Sequence, residues 1–255
     1  YGPNQSAADW RDFAIHRQSL SRSRSEASGA SRLKPRALTY PMEAEAPIPA
    51  ATLIVMRDGP TAPELLVVER AAGLRFAGGA VAFPGGRIDP ADHAWADHPL
   101  DAAAKVAAIR ETAEETGILI AAEPRPCKQA MFEIGAALRA GSSLSTVLVE
   151  QKARLTIADL VPFARWCPMG LQKRPFDTHF FLARAPEDLP LPVPDGAEVA
   201  RVFWASAEAL LDSADQGATK LIFPTRRNIE RLARFGSFAE AWEDAAKHPI
   251  RTVAP

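Results

Sequence analysis

The stretch LDAAAKVAAIRETAEETG, residues 100–117, constrains this chain more than any other. It is rich in alanine, free of proline and closed by Gly117, the pattern of a helix with a glycine at its C-terminal cap. On that helix Glu111, Glu114 and Glu115 stand at i, i+3 and i+4, so three carboxylates share one face. Like charges so close repel. The arrangement is stable if the face is solvated, if basic neighbours neutralise it, or if a hard divalent cation fills it. Taken alone, an ExxEE helix is most simply a solvated face, so its meaning depends on what precedes it.

Bulk composition narrows the setting. With 255 residues, 47% hydrophobic, 24% charged and a net charge of −1, the chain has the profile of a globular protein with appendages. Near-neutral charge gives no general attraction to nucleic acid or to an anionic membrane, so any anion must be bound at a local site. Cys127 and Cys167 form no CxxC and no disulfide framework, which fits a reducing, cytoplasmic compartment. No apolar run is long enough to cross a bilayer, and the start of the chain lacks the apolar segment of a secretory signal.

Residues 1–45 read as a disordered tail: SLSRSRSEASGASRLKPR is rich in Ser and Arg and poor in acid and in large apolar side chains. A transit peptide is the alternative reading. A folded domain is expected over 46–212 and a helical extension packed on it over 213–255. ATLIVMRD (51–58) and ELLVVER (64–70) predict a β-hairpin around DGPTAP. Residues 131–157 predict helix, FARWCP, THFFLAR and EVARVFW predict strands, and Ser206 opens a short helix. Two helices split at Gly236 are expected near the end. The arginines at 226, 227, 231 and 234 read as a solvated face, and Trp166, Phe180, Phe181 and Trp204 as core. Strands mixed with helices, without regular βαβ alternation, imply an α+β fold.

Just before the acidic helix lies FPGGRID. Adjacent Gly85 and Gly86 let the backbone turn tightly, and their amides can face an anion. Glycine turn and acidic helix together suit a polyphosphate held through a divalent cation. Asp89 and Asp92 fit a turn at Pro90. His93 and His98 have no third ligand nearby and do not read as a zinc site.

Gly86 to Ile118 resembles the Nudix box: a glycine, five residues, an acid, a spacer, then Arg-Glu-apolar-x-Glu-Glu-x-Gly-apolar. Arg110, Glu111, Glu114, Glu115, Gly117 and Ile118 match its end, with Thr112 at the usually aliphatic position. Asp92 stands where the family generally has Glu, and the spacer to Arg110 is lengthened by an insertion around HAWADHPLDA. Upstream, RAAGLRFAGGAVAFPGG (70–86) is similar to the signature of Nudix coenzyme A diphosphatases, on which Arg70, Ala71, Arg75, Gly79 and Phe83 to Gly86 fall. With KRPFDTHFF (173–181), the resemblance is to the peroxisomal type and its bacterial relatives. The TVAP ending at 252–255 is not a peroxisomal tripeptide, so a cytoplasmic location is expected.

The resemblance implies a mixed β-sheet packed between helices, an α/β/α sandwich, with extra C-terminal helices. It implies hydrolysis of a diphosphate linkage, turning coenzyme A or acyl-CoA into 3',5'-ADP and 4'-phosphopantetheine or its acyl form. Glu111, Glu114 and Glu115 would hold Mg²⁺ or Mn²⁺, and Glu111 or Glu115 would take the proton from the attacking water. Arg110 would orient a glutamate or brace the loop. Arg70, Arg75, Gly85 and Gly86 would meet the substrate, with Glu198 a further candidate acid for the metal. The expected partner is a small coenzyme A-like diphosphate, with no nucleic acid or membrane, and a homodimer is allowed for. ADP-ribose, NADH or another nucleoside diphosphate derivative is the alternative substrate, and a non-catalytic nucleotide-binding module the alternative class.

Overall fold

The structure is a computed structural model and describes residues 46–74, 77–95, 101–168 and 175–254. The expected tail over 1–45, Arg75, His98, and Lys173 and Arg174 of KRPFDTHFF lie outside the described residues. The first half of the chain holds β1 (Ile48–Arg57), β2 (Glu64–Arg70), β3 (Ala80–Ala82), β4 (Gly85–Arg87), α1 (Ala102–Thr116), β5 (Ala122–Glu123), α2 (Lys128–Arg139) and α3 (Leu144–Glu150). The second half holds β6 (Arg154–Leu155), β7 (Val161–Trp166), β8 (Phe176–Arg184), β9 (Val199–Ser206), α4 (Ala207–Asp215), β10 (Lys220–Leu221), α5 (Phe223–Leu232), α6 (Phe238–Lys247) and β11 (Thr252–Val253).

Among the described residues nine strands form one mixed sheet, ordered β10-β3-β2-β1-β8-β7-β11, with β4 paired to β1 and β9 to β2. The β1–β2 hairpin closes at Met56↔Leu65 and Arg57↔Glu64, as the turn sequence predicts. From there the two strands diverge. β1 runs parallel to β8 from Ile48↔Phe176 to Met56↔Arg184, while β2 pairs antiparallel with β9.

Both faces of the sheet are buried, so the central strands alternate between two cores. Ala51, Leu53, Val55, Leu66 and Phe181 face α1, α2 and α3. Ile54, Met56, Leu65, Val67, Phe180 and Leu182 face α4, α5 and α6. Burying each large aliphatic side chain stabilises the sandwich by about 1.5–3 kcal/mol. The α+β sandwich expected from the sequence is the fold observed.

Three local details differ from the sequence reading. The helical run expected over 131–157 divides into α2 and α3 at Gly141, whose φ of +93° suits glycine, and ends at Glu150, after which Arg154–Leu155 is strand β6. Trp204 is only partly buried and carries the Arg57 guanidinium 4.2 Å above its ring. The arginines of α5 are not a uniformly solvated face. Arg231 donates to the carbonyl of Phe163 at 2.6 Å, pairs with Asp244 of α6 at 2.6 Å and stacks 4.0 Å over the Phe163 ring, joining two helices to β7.

Candidate active site

Helix α1 lies on the sheet through small residues. Ala104, Ala107, Ala108 and Ala113 are buried against it, so the backbone of α1 approaches β1 closely. Thr112, at the box's aliphatic position, is fully buried and turns its hydroxyl back to the carbonyl of Ala108 at 2.7 Å. A polar residue is thereby accepted in an apolar seat. Gly117 takes the left-handed conformation, φ +69°, and closes the helix by donating its N–H to the Ala113 carbonyl.

Opposite α1, the short strand β4 pairs with β1 at Thr52↔Gly85, Ala51↔Gly86 and Ala50↔Arg87. This brings the paired glycines under the helix. A Cβ on Gly86 would fall on the Glu111 carboxylate, so only glycine lets that side chain in. The amide of Gly85 donates to Glu115 Oε2 at 3.1 Å. The anion that this amide faces in the structure is therefore the carboxylate of Glu115.

Arg110 organises the rest. Its Nε and Nη2 grip both oxygens of Asp92 at 3.0 Å. Nη2 also donates to the carbonyl of Arg87 at 3.0 Å, and Nη1 donates to Glu111 at 2.9 Å and Glu114 at 3.2 Å. One guanidinium thus ties α1 to β4 and to the 3₁₀ turn Pro90–Trp95, and aligns two glutamates. Asp92 is 2% exposed and also accepts the amide of Asp89 at 2.8 Å, closing the turn before the insertion. Counting from Gly86 locates Asp92, whereas its burial and pairing with Arg110 emerge only in three dimensions.

Acid outnumbers base in this site, and the proton affinities follow. Burial opposes the charge on Arg110, but the hydrogen bond to Asp92 and the nearby Glu111, Asp92 and Glu114 outweigh it and raise its pKa. Burial is also the main cause that pushes Glu111 up to about 7; Arg110 opposes the rise and Glu114 adds to it. Glu115, 5% exposed, is raised well above the usual range by burial and by Glu111, against the pull of the Gly85 amide and Arg70. Burial raises Glu114 as well, with Arg110 opposing. Asp195, on the loop before β9, adds to the repulsion felt by Glu115. Sequence reading singled out Glu198 in that loop, which is exposed; Asp195 instead is the acid near Glu115. Its only signal was a place in a Pro-rich PVPDG turn.

Among the described residues no three Asp, Glu, His or Cys side chains are arranged to hold a metal ion, and Arg110 bridges Glu111 and Glu114. The donors still suit a hard dication. Buried carboxylate oxygens, short of countercharge and held at elevated pKa, are the chemistry such an ion stabilises. At the edge of the cluster Arg70 ends β2, with its Nε buried and lacking a hydrogen-bond partner among the described residues. His93 is exposed, with no zinc-like grouping around it among the described residues.

The sequence profile of the NUDIX domain matches residues 47–139, from β1 through α2. The chain is also similar to a NUDIX hydrolase from Alicyclobacillus acidocaldarius, at 31% identity and a TM-score of 0.70, over 80% of this chain and 98% of that one. More distant is the NUDIX domain of Shewanella oneidensis NrtR, complexed with ADP ribose, at 17% identity and a TM-score of 0.44, over 77% and 92% of the two chains. Fold and motif define a hydrolase that acts on pyrophosphate bonds. Within that class the chain belongs to the Nudix hydrolase family.

Proposed function

We propose that the chain hydrolyses the diphosphate of coenzyme A or acyl-CoA, releasing 3',5'-ADP and 4'-phosphopantetheine or its acyl form. The carrying observation is Arg70, a cation beside Glu115 whose buried Nε has no hydrogen-bond partner among the described residues. An unsatisfied buried donor calls for an explanation, and a phosphate oxygen arriving at the cluster would supply one. Arg70 also opens the coenzyme A signature. Gly79 of that signature has φ +70°, and its amide donates to the Arg70 carbonyl at 3.1 Å, so Gly79 is held against Arg70. Arg75 is assigned to the same phosphates on the signature alone.

Glu111, Glu114 and Glu115 are assigned to Mg²⁺ or Mn²⁺. When bound, the cation neutralises phosphoryl charge and sharpens the attacking water. Glu111 or Glu115 takes the proton from that water, Arg110 holds Glu111 and Glu114 in register, and Gly85 and Gly86 leave room for the glutamates beneath the substrate. A cytoplasmic site of action is part of the proposal.

The test is product analysis by mass spectrometry after incubation with coenzyme A, ADP-ribose and NADH in parallel, with Mg²⁺ or Mn²⁺ and with chelator. Metal-dependent 3',5'-ADP, formed mainly from coenzyme A, is the expected result; turnover of only the other two overturns the substrate assignment. Glu115→Gln is expected to lower kcat/KM about a thousandfold, roughly 4 kcal/mol of transition-state stabilisation. An unchanged rate would remove Glu115 from the machinery.

A further inference from the structure

The segment LPLPVPD (189–195) puts a proline at every second position, which fixes φ and leaves a stiff, extended strip. It is fastened on both sides of its middle. Leu189 packs against the core on the side of the sheet that carries α1, α2 and α3, and the amide of Val193 donates to the carbonyl of Thr116, the residue after Glu115, at 2.9 Å. Beyond it, one oxygen of Asp195 accepts the amides of Ala197, Glu198 and Val199 at 2.9, 3.0 and 2.8 Å. The carbonyl of Glu198 in turn accepts the amide of Ala71, next to Arg70, at 2.8 Å. The strip is therefore pinned against the end of α1 and the end of β2, the two elements that carry Glu115 and Arg70.

Between these anchors Leu191 is 88% exposed and Val193 38%. Scattered exposed aliphatics are ordinary, but these two stand on a rigid strip beside a charged catalytic cluster. The geometry points to a specificity wall: Leu191 and Val193 contact the organic arm joined to the diphosphate and select an aliphatic arm over a sugar. This rests on the coenzyme A reading. The pantetheine arm begins with a methylene on the phosphate oxygen, followed at once by a carbon bearing two methyl groups. The corresponding arm of ADP-ribose is a ribose, whose hydroxyls would lose water against Leu191 and Val193 without gaining a partner. Because the prolines hold the strip in place, little ordering cost accompanies the contact.

The test measures kcat/KM for coenzyme A and ADP-ribose in the wild type, in Leu191→Asn/Val193→Thr and in Leu191→Met/Val193→Ile. The polar pair is expected to lower kcat/KM for coenzyme A about tenfold, raise it for ADP-ribose and leave the melting temperature unmoved, while the apolar pair keeps the wild-type preference. If the wild type cleaves coenzyme A and the polar pair changes neither substrate, or lowers both equally, the wall is overturned while the substrate reading stands. If the wild type cleaves ADP-ribose and leaves coenzyme A intact, the substrate reading fails and the wall falls with it.

Discussion

Two acidic sites flank β1 on the sheet, and they titrate in opposite directions. On β8, Asp177 meets Arg165 of β7 through two bonds of 2.8 and 2.6 Å, and this pairing lowers its pKa. Next to β4, Glu111 and Glu114 share Arg110 with Asp92 while Glu115 takes the Gly85 amide, and all three glutamates are raised, chiefly by burial. Both sites are partly buried and both contain an arginine. What separates them is the count of charges: one acid per base is a structural tie, whereas an excess of buried acid is a demand for a cation that the protein does not supply.

The sharpest way to break this contrast is to remove the anchor of Arg110. Asp92→Ala leaves the Arg110 guanidinium without its bidentate partner in a buried place, and a stability loss of about 3–5 kcal/mol is expected by chemical denaturation. A loss below about 1 kcal/mol would mean that Glu111 and Glu114 alone satisfy Arg110.

A smaller effect concerns pH. With Glu111 raised from 4.5 to about 7, the folded metal-free protein binds more protons than the unfolded chain between those values, so its stability falls as pH rises through that window. Glu114 and Glu115 are raised too and act with the same sign. Melting temperatures taken in chelator from pH 5 to pH 8 should decline, Mg²⁺ should reverse the decline at the upper end, and Glu111→Gln should flatten the slope. A flat wild-type profile would contradict the burial of the cluster.

The least effect is expected at the balanced site. Asp177→Asn breaks a pair whose arginine is 38% exposed, so about 1 kcal/mol or less should be lost, with hydrolysis unaffected. A large drop in activity there would erase the distinction between the two sites.

Much of the active helix was legible before any coordinates. Alanine content, Gly117 and the spacing of Glu111, Glu114 and Glu115 obey local rules of helix formation, and β1 and β2 show the β-branched runs and turn residues of a hairpin. The relations that depend on distant segments were not. Nothing local says that Gly86 makes room for Glu111 or that Gly85 donates to Glu115, because these contacts need β4 to pair with β1. Arg231 read as solvated because its partners, Phe163 and Asp244, belong to separate elements. Asp195 went unnoticed for the same reason: its nearness to Glu115 is created where the chain returns after β8.

The alanine side of α1 carries a last consequence. Small side chains set the helix axis close to β1, and the same few turns present the carboxylates to β4. Core and catalytic cluster are two sides of one rod, so the glutamates are expected to open only with the helix that carries them. Slow hydrogen exchange of the α1 amides and retention of hydrolysis should be lost together on heating, in a single event, because the precision of the chemistry is borrowed from the packing of the fold.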